Sequence, residues 1–317
     1  MINSYIALGY KCNHYCLNCP LTKADRLEKE LESEVIKKNI TELCKYGDKL
    51  NITISGGEPT LNKYFFDILK MLGESGSYIN IFSNATSCKD MEFIDKMLTS
   101  LGKNYDLKKF RYVTAIHSYD KLVHDKLTST SGSFDETIKG LENLDKRDIH
   151  VTIKIIMNKV TSKNLSETLE FLCNHFSNNV DLQLCATDYA GRCGEYLEDL
   201  YIDFKDLQGL VEDALDKFEK INNGKKLHII ETPLCLVDPY YYKYFNLYKG
   251  LKKVTYIAPN DKSNNNKSET TGYGCHTNYK ECQNCAVKDF CSGIWQSTYN
   301  LEKNKENIIR PVVIHKV

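Results

Sequence analysis

The chain has 317 residues, 42% apolar and 26% charged, a globular balance with enough apolar surface for one large domain or two ordinary ones. Lys plus Arg and Asp plus Glu number 42 each, so no global field draws the protein to an anionic membrane or to nucleic acid, which argues against a general RNA binder. No apolar run reaches the roughly 18 residues of a membrane span, and no basic-then-apolar signal precedes the first cysteine, so a cytoplasmic location is expected.

A first strand is expected near 5–9. It runs into Tyr10-Lys-Cys-Asn-His-Tyr-Cys-Leu-Asn-Cys-Pro20, where Cys12, Cys16 and Cys19 stand at Cys-x3-Cys-x2-Cys spacing. Three thiolates on one loop hold three irons of a 4Fe-4S cubane that normally takes four, which leaves one iron open to a cofactor. The competing reading is zinc with His14 as fourth ligand, although zinc sites usually run in Cys-x2-Cys pairs. Leu31, Val35, Ile36, Ile40 and Leu43 then share one helical face. A second strand, 50–55, leads into Gly56-Gly57-Glu58-Pro59, where two glycines permit close backbone approach and a carboxylate can pair with an ammonium group.

Further strands are expected near 78–83, 111–116, 149–157 and 180–186. Helices are expected from Ser133, where Ser133 and Glu136 form a capping-box pattern, and on the faces of Leu165, Leu169, Leu172 and Phe176 and of Phe204, Leu207, Leu210, Val211, Ala214 and Phe218. Six strand-helix units predict an α/β partial (β/α)6 barrel over residues 1–231. Cys12 to Cys19, Gly56 to Pro59, Ser83-Asn84, His117-Ser118, Asn158 and Asp188 to Cys193 all follow strand ends, so they share the rim where such barrels keep their chemistry.

Residues 232–317 form a second, cysteine-rich region. Its Tyr240-to-Tyr248 aromatics suit helix packing better than base stacking, and the polar stretch Asn260 to Thr271 reads as a mobile insertion. Cys282, Cys285 and Cys291 sit at Cys-x2-Cys-x5-Cys, with Cys235 and Cys275 upstream. Thirteen cysteines in a reducing compartment read as metal ligands rather than disulfides, and thiolates suit either iron-sulfur or zinc here. Cys44, Cys88, Cys173 and Cys185 fall in helix or strand patterns and read as small buried hydrophobes.

The cysteine triad after the first strand and Gly-Gly-Glu-Pro after the second resemble the hallmarks of the radical S-adenosylmethionine (SAM) superfamily. The resemblance implies that SAM chelates the open iron while Gly56, Gly57 and Glu58 hold its amino group, with Pro59 completing the cofactor-binding motif. Ile81-Phe-Ser-Asn-Ala85, Ala115-Ile-His-Ser118 and Gly132-Ser-Phe134 look like barrel segments of peptide-modifying members, which makes Ser83 and Ser118 candidate contacts to SAM ribose or carboxylate. Two departures stand out. Asn18 occupies the position often packed against adenine, and Thr128 stands where some relatives pair an arginine with the SAM carboxylate, leaving Lys126 as its substitute.

The C-terminal cysteines resemble the SPASM/Twitch extensions that carry auxiliary 4Fe-4S clusters. The implied ligands are Cys235, Cys282, Cys285 and Cys291, with Cys275 spare or replacing Cys235. Trp295 stands where the longer version has another cysteine, which implies a single auxiliary cluster. Cys193 resembles the thiol that gives a hydrogen atom to a substrate radical in radical SAM epimerases, against a bland packing role. The implied function is maturation of a ribosomally made peptide by thioether or carbon-carbon crosslinking or by epimerisation, with a flavodoxin- or ferredoxin-type electron donor. With 11 residues before Cys12, a leader would be read by the barrel, the C-terminal region or a separate leader-binding partner. The alternatives are the same chemistry on a small metabolite or tRNA, and a noncatalytic iron-sulfur or zinc protein.

Overall fold

The computed structural model describes residues 1–27, 30–222, 224–246, 253–259, 267–271, 275–276 and 279–313. Strands β1 (Ile2–Ala7), β2 (Leu50–Ser55), β3 (Tyr78–Phe82), β4 (Phe110–Ala115), β5 (His150–Met157) and β6 (Val180–Ala186) pair in sequence order, each parallel to the next. Their alternating side chains explain the layering. Leu50, Ile52 and Ile54 are fully buried, while Asn51 and Thr53, on the opposite face, are only half-buried.

Two parallel strands extend the six expected ones, β7 (Leu227–Ile230) beside β6 and β8 (Lys253–Ile257) beside β1. Antiparallel β9 (Lys267–Thr271) closes the β8 edge, so part of the polar stretch expected as a mobile insertion is a strand. Its first half, 260–266, lies outside the described residues. A separate two-stranded ribbon joins β10 (Cys275–His276) to β11 (Ile294–Trp295).

The short α1 (Lys23–Leu27) buries no side chain; crossover helices then cover one face of the sheet, α2 (Ser33–Cys44), α3 (Phe65–Glu74), α4 (Met91–Leu101), α6 (Ser133–Lys146) and α7 (Leu165–His175), with α5 (Lys121–Thr128) leading into α6. After β6 come α8 (Leu197–Leu200) and α9 (Phe204–Ile221), and α10 (Gln296–Leu301) follows β11. Ile36, Ile40 and Leu43 on α2 and Phe65, Leu69 and Leu72 on α3 meet the apolar face of the sheet in one continuous core. Helix α6 starts where expected but by a different device. Asp125 on α5 accepts from the Gly132 and Phe134 N–H groups and the Ser133 hydroxyl, while Glu136 pairs with Lys89 instead of closing a capping box. Tyr240 to Tyr244 form a short helical segment whose Tyr240 and Tyr244 hydroxyls donate to Glu219, a packing role; residues 247–248 lie outside the described set. Among the described residues no helix is long and apolar enough to cross a membrane.

Candidate active site

The loop after β1 presents Cys12, Cys16 and Cys19 as free, half-buried thiols. Its backbone is pinned from α5, where Tyr15 N–H donates to the Thr128 carbonyl at 2.9 Å and Leu17 N–H to Leu127 at 2.7 Å. Burial pushes the Cys12 thiol up to about 11 and the Cys16 thiol to about 12, so both stay protonated near neutrality until a metal displaces the protons. Donors already face the sulfurs: His14 N–H lies 3.4 Å from Cys12 Sγ, and Arg26 Nη2 lies 3.5 Å from Cys19 Sγ.

Gly56 and Gly57 let β2's loop seat on this one. Gly57 and Glu58 N–H donate to the Gly9 and Lys11 carbonyls, each at 2.8 Å. A Cβ on Gly56, whose φ is +124°, would stand 2.1 Å from the Gly9 oxygen, and one on Gly57 would stand 2.3 Å from the Lys11 oxygen. The close approach that the glycine pair allows is therefore first of all to the cysteine loop itself.

Glu58 is buried beside the buried ring of Pro59. Its Oε1 accepts from Thr60 N–H at 3.0 Å, the Thr60 hydroxyl at 2.6 Å and the Ser83 hydroxyl at 2.8 Å, and its Oε2 accepts from Asn84 N–H at 2.7 Å. Burial raises its pKa, with these four hydrogen bonds opposing. Oε1 is saturated; Oε2 carries one donor and has capacity for a cation. Ser83 also accepts from the buried Tyr112 hydroxyl at 2.7 Å, so its oxygen holds the carboxylate in place. Asn84 further donates to Asn13 of the cysteine loop at 2.7 Å.

The remaining rim residues divide. Ser118 is fully buried and accepts from Asp120 N–H at 3.0 Å, which fixes the start of α5. His117 and His124 are buried with ring centroids 5.3 Å apart, and burial lowers them to about 3 and about 4, with the buried His14 adding to both shifts. Asn158 is fully buried and holds its own turn through Val160 and Thr161 N–H. Asn18 is buried with Nδ2 unpartnered, Thr128 bonds to Ser133, and Lys126 is exposed on α5. The guanidiniums that reach the cysteine loop are Arg26 and Arg192, stacked over Tyr15 at 4.3 and 4.6 Å. Cys193 has no exposed surface and packs with Leu127, Tyr189 and Leu200, and burial raises its thiol to about 12.

In the C-terminal region Cys235, Cys282, Cys285 and Cys291 line one pocket together with Pro233, Ile294 and Ile309. Cys291 Sγ accepts from Leu234 and Gly293 N–H, each at 3.3 Å. Cys275 stands apart on β10 opposite Trp295, its Sγ 3.8 Å from the Glu231 carbonyl. Of the four cysteines expected as core, Cys88, Cys173 and Cys185 are buried and Cys44 is half-buried. No group of three or more His, Cys, Asp or Glu among the described residues is spaced for a single metal ion.

Thr60, Tyr112, Arg26 and Arg192 are not marked by any motif in the sequence, and Tyr112, Arg26 and Arg192 act through partners that no local pattern pairs with them. Thr60 alone carried a local signal, two residues after Glu58 with a side chain short enough to reach back.

Comparison with known proteins fits this geometry. The sporulation killing factor maturation protein SkfB of Bacillus subtilis is 26% identical over 231 residues, 73% of this chain and 52% of that protein. Fe-coproporphyrin III synthase of Methanosarcina barkeri is 28% identical over 163 residues, 51% of this chain and 38% of that one. The chain thus spans about half, or less, of the length of these curated relatives. Streptococcus suis SuiB bound to S-adenosylmethionine superposes with a TM-score of 0.66 at 17% identity, over 97% of this chain and 76% of that one, and SuiB is also known bound to the precursor peptide SuiA. Residues 6–172 match the radical SAM superfamily, which takes in the cysteine loop, Glu58 and strands β2 to β5, and the chain belongs to that superfamily.

Proposed function

We propose that the chain is a radical SAM enzyme that matures a ribosomally made peptide by crosslinking, thioether formation or epimerisation. The observation that carries the reading is the joint built by Gly57 and Glu58 on Gly9 and Lys11, which sets a buried carboxylate beside three free thiols on one loop. The residues fit the superfamily's cofactors: Cys12, Cys16 and Cys19 would hold a 4Fe-4S cluster, and Glu58 would take the SAM ammonium on Oε2. Bound there, the two would supply one-electron reductive cleavage of SAM and, through it, abstraction of a hydrogen atom from the substrate. Ser83, Thr60 and Asn84 hold the carboxylate in place and oppose the rise that burial gives its pKa. Given their partners, Ser83 acts through Glu58 and Ser118 through the start of α5.

A peptide substrate is supported by SkfB, a maturation protein, and by SuiB with its precursor peptide. The Fe-coproporphyrin III synthase relative favours, as a second reading, the same chemistry on a small metabolite. Residues 1–231 are assigned to the barrel and 232–317 to a SPASM/Twitch-like region, with β8 returning to the barrel sheet. Cys235, Cys282, Cys285 and Cys291 are assigned to an auxiliary 4Fe-4S cluster, a reading supported by their shared pocket. A flavodoxin- or ferredoxin-type donor and a separate leader-binding protein complete the proposed partners.

The test is anaerobic reconstitution followed by dithionite and SAM. The expected result is about eight irons per chain, two clusters of four, and release of 5′-deoxyadenosine. About four irons would remove the auxiliary cluster, and no deoxyadenosine with any candidate peptide or metabolite would remove the enzyme reading.

A further inference from the structure

Helix α1 has only five residues and no buried side chain, so core packing does not explain its place. It is fixed instead by a reciprocal cap: Thr22 N–H and hydroxyl each donate to Asp25 Oδ2 at 2.8 Å, and Asp25 N–H donates to Thr22 Oγ1 at 3.0 Å. The cap delivers Arg26, one residue later, onto the cysteine loop. There Nη2 donates to Cys19 Sγ at 3.5 Å, Nη1 donates to the His14 carbonyl at 3.3 Å, and the guanidinium plane lies 4.3 Å over Tyr15. Its Nε is buried without a partner. Tyr15 also carries the Arg192 guanidinium, at 4.6 Å, and the Arg192 backbone N–H is tied to the Leu21 carbonyl at 3.2 Å. Arg192 makes no contact with a cysteine sulfur among the hydrogen bonds of the described residues, so only one of the two cations acts on a ligand atom directly.

We infer that Arg26 is a positioning residue that raises the reduction potential of the cluster held by Cys12, Cys16 and Cys19, by donating a charged hydrogen bond to the Cys19 sulfur. The inference rests on the proposed cluster assignment. Its physical basis is simple. One-electron reduction adds a negative charge to the cluster and its thiolates. A guanidinium donor on a ligand sulfur favours the more negative state, because hydrogen bonds to sulfur and local charge are among the main determinants of such potentials. Stacking on Tyr15 and the bond to the His14 carbonyl hold the donor in one geometry, so little ordering accompanies the change of charge.

The test is a paramagnetic-resonance redox titration of the reconstituted full chain, read on the signal that responds to SAM. Arg26→Gln should shift the midpoint to more negative potential with iron content unchanged, Arg26→Lys should shift it less, and Arg192→Gln should leave it near the wild-type value. An Arg26→Gln midpoint equal to wild type, at full iron content, overturns the inference and leaves the cluster assignment standing. If Arg26→Gln does not retain iron, the Arg26→Lys midpoint decides: a negative shift supports the inference and an unmoved midpoint overturns it. Absence of any SAM-responsive signal in the wild-type protein would overturn the cluster assignment as well.

Discussion

The Cys193 N–H donates to the Cys19 carbonyl at 3.2 Å, so the loop after β6 is bound to the last cysteine of the loop after β1. Two ends of the barrel rim, far apart in sequence, thereby share one wall. A Cβ on Gly191 would stand 1.9 Å from the Pro20 oxygen, which shows how tightly they are pressed together.

The first prediction concerns this wall. With no exposed surface, the Cys193 thiol reaches a substrate radical only if the β6 loop opens. Cys193→Ala should lower stability by about 1 kcal/mol, as for a typical core truncation, and leave deoxyadenosine release intact. Under the hydrogen-donor role it abolishes epimerised product; unchanged product assigns Cys193 to packing alone, as mass spectrometry after deuterium exchange would reveal.

Gly57→Ala should disrupt the joint between the two loops, because its Cβ meets the Lys11 and Tyr10 carbonyls at 2.3 and 2.5 Å. Those are backbone atoms that cannot step aside cheaply. The expected cost exceeds about 1 kcal/mol, together with loss of iron at the Cys12 site. Thermal unfolding and iron analysis check both, and a variant with wild-type iron content and melting temperature would contradict the joint.

Glu58 predicts a pH dependence. Burial raises its pKa above the ordinary carboxylate value, so the folded protein holds this proton more tightly than the unfolded chain. The associated stability is present at low pH and is lost as pH rises through the folded pKa. SAM's ammonium pairs only with the ionised form, so SAM affinity should fall as pH drops into that window. Glu58→Gln should bind SAM about 10- to 100-fold more weakly, the worth of one charged hydrogen bond, with the pH slope gone. A flat pH profile of Kd in the wild-type protein would remove the role.

His117 and His124 predict acid lability of the opposite sign. Their pKa values fall to about 3 and about 4 on burial, against about 6.5 when unfolded. Stability is therefore complete above pH 6.5 and is lost as pH falls toward the folded values. At pH 5 the loss is about 2 kcal/mol for each ring. His117→Met should shrink the drop seen in urea unfolding between pH 7 and pH 5 by about that amount; an unchanged drop would mean that the pair does not govern it.

Much of this was readable from the residues, for identifiable reasons. The six central strands are five to eight residues long and rich in β-branched and aromatic residues, and Gly56 to Pro59 concentrate backbone demands in four adjacent positions. Strand β7 was missed because Leu227–Ile230 is only four residues long, and β9 because Lys267–Thr271 carries no apolar residue to mark a buried face. The capping box expected at Ser133 and Glu136 lost to Asp125, eight residues before Ser133, whose carboxylate reaches two backbone N–H groups at once. Ser83 was legible as a rim residue, but its hold on Glu58 depends on a strand register that local pattern does not encode. Arg26 was invisible for the same kind of reason, since α1 has no apolar periodicity to anchor it.

The central claim is that the Cys12, Cys16 and Cys19 site leaves one iron for SAM. Low-temperature paramagnetic resonance of the reduced, reconstituted protein during SAM titration tests it most directly. One of the cluster signals should change on SAM addition in the wild-type protein, and this response should disappear in Glu58→Gln. A spectrum unaltered by saturating SAM would contradict it.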